Sequence, residues 1–254
     1  MTDGAVTDGA ATEITEDRFW DGRVLVRQRR RGYRFSVDAV LLAHAVATEM
    51  GGRPVRRILD LGTGCGIIPL LLAARLPEAR IIGVEIQKPL ADLARANVAE
   101  NGFGDRVVIL HRDLRELTRA EVGGPVDLVA SNPPYRPPGT GRRCPEGERD
   151  IARREVHARL ADVAAAARRM LDPGGRFRIV FPAERAAELM DRMREADLEP
   201  KSLRPVYSRA GEAARLVLAG GRRAGNTGLR LEAPLVIYGP DGEYAPEVAA
   251  MFRW

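Results

Sequence analysis

Short apolar runs alternate with longer segments of helical periodicity along most of the chain, beginning near residue 53. Five apolar runs predict β-strands at residues 55–61, 80–86, 106–110, 126–130 and 176–181. The segments with helical spacing predict α-helices at residues 67–76, 89–101, 153–171 and 184–196. Strands that alternate with helices in this way predict a parallel sheet with helices on both faces.

The pattern changes after residue 196, where no helix separates the next two strand-like runs. Residues 198–206 and 213–221 therefore predict an antiparallel hairpin at one edge of the sheet, and residues 231–238 predict a last strand. Ahead of the sheet, residues 23–31 predict a strand or hairpin arm and residues 37–48 predict a helix. The whole pattern predicts one α/β domain with an N-terminal extension.

Composition and charge divide the chain further. Of the 254 residues, 45% are hydrophobic and 30% are charged, which is typical of a globular protein with a sizeable core. The net charge is +5, but residues 1–17 carry five carboxylates and no basic side chain, which leaves +10 on the remainder. We predict residues 1–17 to be a disordered acidic leader, residues 18–52 an N-terminal arm and helix, and residues 53–254 the main domain.

Neither the cysteines nor the histidines have the spacing of a metal site. Cys65 and Cys144 are far apart and form no Cys-x-x-Cys pair, so we expect neither a disulfide framework nor zinc. No apolar run is long enough to span a bilayer, and the leader lacks the basic start and apolar middle of a signal peptide. The sequence therefore predicts a cytoplasmic protein with no metal and no membrane partner.

The first strand of the predicted sheet runs directly into a glycine-rich loop that contains Gly62, Gly64 and Gly66. Glycines let a ligand approach the backbone, and the N-terminus of the helix that follows supplies N–H donors. Residue 67 is isoleucine, so the dinucleotide fingerprint is absent. Glu85 ends the second strand of the sheet, where a carboxylate can bind both hydroxyls of a ribose. The loop indicates a cofactor site, although a tight strand-to-helix turn would use the same glycines.

The series Asp60-x-Gly62-x-Gly64-x-Gly66, followed by Gly83-Val-Glu85, resembles the motifs of class I S-adenosylmethionine-dependent methyltransferases. The resemblance implies a Rossmann-like fold: a mostly parallel seven-stranded sheet with an antiparallel edge hairpin and helices on both faces. It also implies S-adenosylmethionine as the cofactor. Asp60 would belong to the cofactor-binding motif, Gly62 and Gly64 would lie against the methionine part, and Glu85 would bind the ribose.

Asp113 follows the third strand in the sequence His-Arg-Asp-Leu. The same resemblance implies that its carboxylate binds the adenine amine of the cofactor. A second interpretation is structural, because an aspartate in this position also caps the turn that follows.

The fourth strand ends in Ser131-Asn-Pro-Pro-Tyr135, which is the most specific motif of the chain. Two prolines stiffen the loop at the edge of the sheet where ligands bind in such folds. The Asn132 side-chain oxygen and the Pro133 carbonyl can accept the two N–H groups of a planar amine, and Tyr135 offers a face for stacking. We predict Asn132, Pro133 and Tyr135 as catalytic residues, with Asn132 also beside the cofactor. A proline-rich turn with a buried asparagine is the alternative.

Four segments together resemble the bacterial tRNA1(Val) (adenine-N6)-methyltransferase family: residues 32–43, the Asn-Pro-Pro-Tyr loop, residues 155–157 and residues 243–248. The resemblance covers nearly all of residues 20–254. It implies that the Phe-Ser-x-Asp segment lies near the cofactor, with Ser36 and Asp38 as cofactor-binding candidates and Phe35 as a substrate-binding candidate. Ser36 could equally be a helix N-cap.

Arginines flank the predicted site on both sides. The predicted arm, residues 18–34, is rich in arginine and contains Arg29, Arg30 and Arg31, while Arg136 and Arg142 lie in the loop after Tyr135. A basic arm and a basic loop can bind phosphates on both sides of a flipped base, so we predict these arginines to contact RNA. A solvated arginine face is the alternative.

Three functions remain open from the sequence. The first is transfer of a methyl group to the N6 of an adenine in tRNA, next to the anticodon of a valine tRNA. The second is methylation of another planar nitrogen, either a glutamine amide of a protein or guanine N2 of rRNA. The third is a non-catalytic cofactor-binding RNA-binding protein. We predict tRNA as the partner and a monomer or homodimer as the assembly.

Overall fold

The computed structural model of the protein describes residues 14–29, 37–48, 55–133 and 160–253. Its strands are Ile14–Phe19 (β1), Val24–Arg29 (β2), Arg57–Leu61 (β3), Arg80–Glu85 (β4), Val107–His111 (β5), Val126–Ser131 (β6), Leu171–Pro182 (β7), Leu198–Tyr207 (β8), Ala214–Arg223 (β9), Arg230–Leu231 (β10) and Leu235–Val236 (β11). Its α-helices are Val37–Thr48 (α1), Ile67–Arg75 (α2), Lys88–Glu100 (α3), Leu160–Met170 (α4), Ala186–Glu195 (α5) and Pro246–Met251 (α6). A short 3-10 helix, Ala183–Arg185, leads into α5.

The main sheet has the strand order β10-β8-β9-β7-β6-β3-β4-β5, and β11 pairs with β8. Strands β7, β6, β3, β4 and β5 are parallel to one another, whereas β9 is antiparallel to both β7 and β8. Seven long strands with an antiparallel edge hairpin confirm the predicted sheet.

The predicted last strand, residues 231–238, is wrong as a single element. The chain makes two two-residue strands there, and both run parallel to β8. Pro234 lies between them, and proline has no N–H group to donate to a strand ladder.

The N-terminal residues correct a second prediction. Residues 14–17 were expected to be part of the disordered leader, but they form most of β1, which pairs antiparallel with β2. The turn between the strands uses Trp20, Asp21 and Gly22, all with positive φ angles. Trp20 is buried, and its indole N–H donates to the carbonyl oxygen of Met251 at 3.1 Å. Contacts with β2 and with the end of the chain therefore order a segment whose own composition is polar.

Two asparagines on α3 attach this hairpin to the domain. Asn97 accepts the N–H of Arg27 at 2.9 Å and donates to its carbonyl oxygen at 2.8 Å. Asn101, one helical turn later, makes the same pair of bonds to Leu25, at 2.8 Å and 2.7 Å. The two side-chain amides thus satisfy backbone groups of β2 that another strand would otherwise bind.

The core lies on both faces of the main sheet, as the alternating pattern predicted. The hairpin, α1, α2, α3 and α6 pack on one face, where Leu41, Leu71 and Val248 are fully or almost fully buried. Helices α4 and α5 pack on the other face through Met170 and Met193. Helix α6 was not predicted, because it has only six residues, too few for the pattern to show helical periodicity.

Candidate active site

Three loops of the predicted site meet at the carboxyl edge of the sheet. In the parallel ladder, Leu61 at the end of β3 is paired with Val84 of β4 and with Ser131 of β6. The glycine loop follows β3 and Asn132 follows β6, so the register brings the two segments side by side. The Ser131 hydroxyl donates to the carbonyl oxygen of Leu61 at 2.9 Å and holds the two strand ends together.

The glycine loop has the conformation that its sequence predicts. Gly62, Gly64 and Gly66 have φ angles of 79°, 58° and 87°, which favour residues without a Cβ. A Cβ added to Gly62 would meet no atom within 4 Å, so space is open above this residue. A Cβ on Gly66 would come within 3.2 Å of Ala94 on α3. The loop is therefore packed against α3 on one side and accessible on the other.

Glu85 is positioned by two backbone groups. One oxygen of its carboxylate accepts the N–H of Gly64 at 2.9 Å, and the other accepts the N–H of Gln87 at 2.9 Å. The residue is only 5% exposed. Because Gly64 belongs to the glycine loop and Gln87 precedes α3, the Glu85 carboxylate links the glycine loop to the start of α3.

Asp60 is a fully buried carboxylate at the base of the glycine loop. Among the described residues, the two carboxylate oxygens of Asp60 and the hydroxyl oxygen of Thr63 have no hydrogen-bond partner. The pKa of Asp60 is raised to about 7, mainly because burial disfavours the charged form; the Thr63 hydroxyl lowers this pKa, and the nearby Glu85 carboxylate raises it. A buried carboxyl group in this state is suited to a cationic ligand, because a positive charge would stabilise its ionised form.

These residues fit S-adenosylmethionine, which carries an ammonium and a sulfonium group. The unsatisfied Asp60 carboxyl group offers compensation for positive charge, and the open space above Gly62 lets a ligand approach the backbone. The Glu85 carboxylate, oriented at the rim of the same edge, is an acceptor suited to ribose hydroxyls.

Asp113 follows β5, next to the strand that carries Glu85. Its carboxylate accepts the backbone N–H of Arg115 at 2.9 Å and also binds the guanidinium group of that residue. The hydrogen bonds from Arg115 lower the pKa of Asp113. The structure therefore contains the turn cap that was the alternative interpretation, and a role of Asp113 in binding adenine stays a prediction.

Asn132 follows β6, on the opposite side of the glycine loop from Glu85. It is 7% exposed, and Pro133 after it is also buried. The end of β6 thus places a polar amide in a sheltered position at the strand edge where the cofactor candidates gather. The described residues that this edge brings together are Asp60, Gly62, Gly64, Glu85 and Asn132.

Other predicted site residues lie elsewhere or outside the described residues. Asp38 is in the first turn of α1, and Arg29 ends β2 with partial exposure. The candidates outside the described residues are Phe35, Ser36, Arg30, Arg31, Tyr135, Arg136 and Arg142.

The sequence did not identify Asn97 as a residue that supports the site. Its side chain is fully buried and donates to the carbonyl oxygen of Cys65 in the glycine loop at 2.9 Å, in addition to its two bonds with Arg27. The sequence does contain an indication of this role, because Asn97 is an amide on the otherwise apolar face of a predicted helix. A buried polar side chain needs hydrogen-bond partners, and that requirement points to a structural connection.

Metal sites and membrane-spanning helices are absent from the described residues. No group of three or more histidine, cysteine, aspartate or glutamate side chains could hold a metal ion there. No helix in the described ranges is both long enough and apolar enough to cross a membrane.

The fold and the arrangement at this sheet edge are those of class I methyltransferases. Residues 35–196 match the methyltransferase small domain family. A solved structure described as a predicted O-methyltransferase, from Agrobacterium tumefaciens, has the same fold, with a TM-score of 0.65 and 23% identity over 84% of this chain and 94% of that one.

Curated relatives narrow the class. A tRNA1(Val) (adenine(37)-N6)-methyltransferase from Aeromonas hydrophila is 34% identical over 85% of this chain and 87% of its own length. One of the same name from Porphyromonas gingivalis is 35% identical over 61% of each chain. The chain therefore belongs to the methyltransferase small domain family and, within it, to the family of these tRNA1(Val) methyltransferases.

Proposed function

We propose that the protein transfers a methyl group from S-adenosylmethionine to the exocyclic N6 of an adenine in tRNA, at the adenosine next to the anticodon of a valine tRNA. The observation that carries this proposal is the sheltered Asn132 amide beside a glycine loop with a buried carboxyl group at its base. Membership of the tRNA1(Val) methyltransferase family supports adenine in tRNA over the other planar nitrogens.

The cofactor supplies a methyl group on a cationic sulfur, which is a good leaving group. Asp60 would stabilise the positive charge of the bound cofactor, and the backbone of Gly62 would leave room for its methionine part. Glu85, held by Gly64 and Gln87, would bind the ribose hydroxyls. These residues would hold the cofactor at the same sheet edge as Asn132.

Asn132 and Pro133 act on the attacking nitrogen. The lone pair of an adenine amine is delocalised into the ring, so the amine is a poor nucleophile. When the Asn132 side-chain oxygen and the Pro133 carbonyl accept its two N–H groups, the nitrogen becomes pyramidal and its lone pair turns toward the methyl carbon. The N–C bond forms as the S–C bond breaks, and the extra proton leaves the nitrogen afterwards to solvent. No strong base is required, and positioning supplies most of the rate enhancement.

The test measures transfer of radiolabelled methyl from S-adenosylmethionine to a valine tRNA transcript. We expect N6-methyladenosine in the nuclease digest, and none when the adenosine beside the anticodon is replaced by guanosine. We expect Asn132→Ala to abolish transfer while S-adenosylmethionine still binds.

Label found only in protein would favour the glutamine methyltransferase, and label in guanosine of rRNA would favour the second nucleic-acid alternative. Binding of cofactor and RNA without any transfer would favour the non-catalytic protein. A cytoplasmic location and a monomeric or homodimeric assembly stay predictions.

A further inference from the structure

A basic groove lies on the main sheet, outside the active site itself. It has a volume of about 430 Å³ and is formed by β7, β8, β9 and the loop after β9. Its charged lining residues are Arg176, Arg178, Lys201 and Arg222. Among the described residues that line it there is no carboxylate, so the groove has a concentrated positive charge.

Two of these arginines face each other directly. Arg176 on β7 and Arg222 on β9 are cross-strand partners in the antiparallel ladder, so their side chains extend from the same face of the sheet. Like charges in this arrangement repel each other. Arg176 is only 6% exposed, whereas Arg222 is exposed, so Arg222 is the member of the pair that a ligand in the groove can reach.

Glycine makes room for the third arginine. Arg178 is opposite Gly220 in the same ladder, and its guanidinium group reaches across to donate to the Ser202 hydroxyl on β8 at 2.7 Å. A Cβ on Gly220 would occupy the space of the Arg178 guanidinium group. Arg178 is therefore extended over the floor of the groove.

The Lys201 ammonium group is held in place by neutral acceptors. The Lys201 ammonium group donates to the carbonyl oxygens of Asn226 and Thr227, at 2.9 Å and 3.4 Å. For Arg222, the described residues provide no ion pair. Glu199 is its cross-strand partner on β8, but this carboxylate forms its ion pair with Arg194, at 3.7 Å.

The groove begins close to the catalytic loop. Arg178 is paired with Ala130 of β6, two residues before Asn132. With about 3.3 Å per residue along a strand and about 4.8 Å between strands, the backbone of Arg178 lies roughly 8 Å from that of Asn132. A nucleic acid strand with one base at Asn132 can therefore place neighbouring phosphates in the groove.

We infer that this groove binds the phosphodiester backbone of the substrate RNA next to the methylated nucleotide. Guanidinium groups bind phosphate oxygens in pairs, and a set of them suits successive phosphates. The described lining has no aromatic side chain on which a base could stack, which favours contact with the backbone rather than with bases. This inference rests on the proposed function, because it assumes an RNA substrate at Asn132.

The test reverses two charges in the groove with the variant Lys201→Glu/Arg222→Glu. Affinity for tRNA is measured by fluorescence titration over a range of salt concentrations, and kcat and KM are measured in the methyl transfer assay. We expect the Kd and KM for tRNA to rise about tenfold or more and the salt dependence to become shallower by about one unit per lost phosphate contact. The kcat and the Kd for S-adenosylmethionine should not change.

The matched control reverses two exposed arginines away from the groove, Arg80→Glu/Arg168→Glu. A rise in the tRNA Kd as large as that of the groove variant would mean that net charge alone is responsible, and would overturn the inference. The neutral variant Lys201→Ala/Arg222→Ala, expected to show a smaller rise in the same direction, covers the case in which charge reversal prevents folding.

The outcomes separate the groove from the proposed function. If the wild-type protein methylates tRNA but the groove variant binds tRNA as tightly as wild type does, the inference about the groove alone is overturned. Specific tRNA binding without methylation, still weakened by the groove variant, would overturn the methylation alone. A wild-type protein that binds no RNA overturns both. Loss of inorganic phosphate binding with unchanged tRNA affinity would assign the groove to a small anion and overturn the inference.

Discussion

The side-chain amide of Asn97 donates a hydrogen bond to the carbonyl oxygen of Cys65, with 2.9 Å between nitrogen and oxygen. The same amide binds the backbone of Arg27 in the N-terminal hairpin. One buried side chain thus connects the hairpin to the glycine loop. The hairpin therefore helps to stabilise the glycine loop, although its residues lie far from that loop in sequence.

Replacement of Asn97 by alanine should affect both elements. Three backbone groups lose their partner; the bond to Cys65 is buried, the two to Arg27 are partly exposed, and a buried polar group left without a partner costs about 1–3 kcal/mol. We expect Asn97→Ala to lower the free energy of unfolding by about 2–4 kcal/mol, measured by urea denaturation. We also expect the Kd for S-adenosylmethionine to rise, measured by calorimetry, because the glycine loop loses one of its anchors.

Asn101→Ala is the matched control, since it removes the equivalent bonds to Leu25 but none to the glycine loop. It should destabilise the protein without weakening cofactor binding. If Asn97→Ala and Asn101→Ala changed cofactor affinity equally, the bond to Cys65 would have no specific role.

The Glu85 carboxylate gives a second prediction. It accepts one N–H group on each oxygen, whereas glutamine has only one acceptor oxygen and would turn its NH₂ group toward a second donor. We expect Glu85→Gln to raise the Kd for S-adenosylmethionine about 10-fold to 100-fold, which corresponds to about 1.4–2.7 kcal/mol. Calorimetric titration measures this.

Glu100→Gln serves as the comparison for the same chemical change. Glu100 is an exposed residue of α3 that pairs with Arg27 at 3.2 Å. Its replacement should leave cofactor affinity within about twofold of the wild-type value, since surface ion pairs contribute little. A Glu85→Gln protein that binds the cofactor as tightly as wild type would contradict a ribose-binding role.

Asp113 and Arg115 provide a test between two interpretations. If Asp113 binds the adenine amine, Asp113→Ala should raise the Kd for S-adenosylmethionine about tenfold, as expected for one lost hydrogen bond to a charged group. Arg115→Ala removes the guanidinium partner and should leave that Kd nearly unchanged. We expect this difference. Equal loss of thermal stability in both variants, with unchanged cofactor affinity in both, would leave Asp113 as a turn cap only.

The parts of the site that the sequence predicted are those encoded locally. Gly62, Gly64 and Gly66 are adjacent in sequence, and Glu85 and Asn132 each end a strand that its own apolar run predicts. A parallel sheet brings strand ends to one edge, so these residues had to meet there. Family membership supports the same assignment.

The missed features depend on partners distant in the chain. The β1 strand contains Glu16 and Asp17 and has the composition of a disordered leader, but pairing with β2 and burial of Trp20 order it. Asn97 contacts residues 32 and 70 positions away, at Cys65 and Arg27. Periodicity in a single helix shows that Asn97 is on the buried face but not which backbone groups it binds. The paired arginines of the groove likewise become neighbours only when β7 and β9 are in register.

The raised pKa of Asp60 makes stability depend on pH in an unusual direction. Its pKa is about 7 in the folded protein against 3.8 for an ordinary aspartate, because burial disfavours the charged form. Between these two values the unfolded chain has released the proton and the folded chain has retained it. The folded state therefore binds more protons, and its stability falls as the pH rises from about 4 to about 7. The loss is of the order of 4 kcal/mol for the difference between these two pKa values.

Asp60→Asn removes this titration. The variant should therefore differ from wild type in how its stability and its affinity for S-adenosylmethionine depend on pH. In urea denaturation of the cofactor-free protein, the variant should gain stability relative to wild type as the pH rises from 5 to 8. In calorimetric titration, wild-type affinity for S-adenosylmethionine should increase over pH 5.5–7.5, because the cationic ligand favours ionised Asp60, while the affinity of the variant should be low and nearly constant. Parallel pH profiles of the two proteins would show that Asp60 does not titrate in this range and does not compensate the charge of the cofactor.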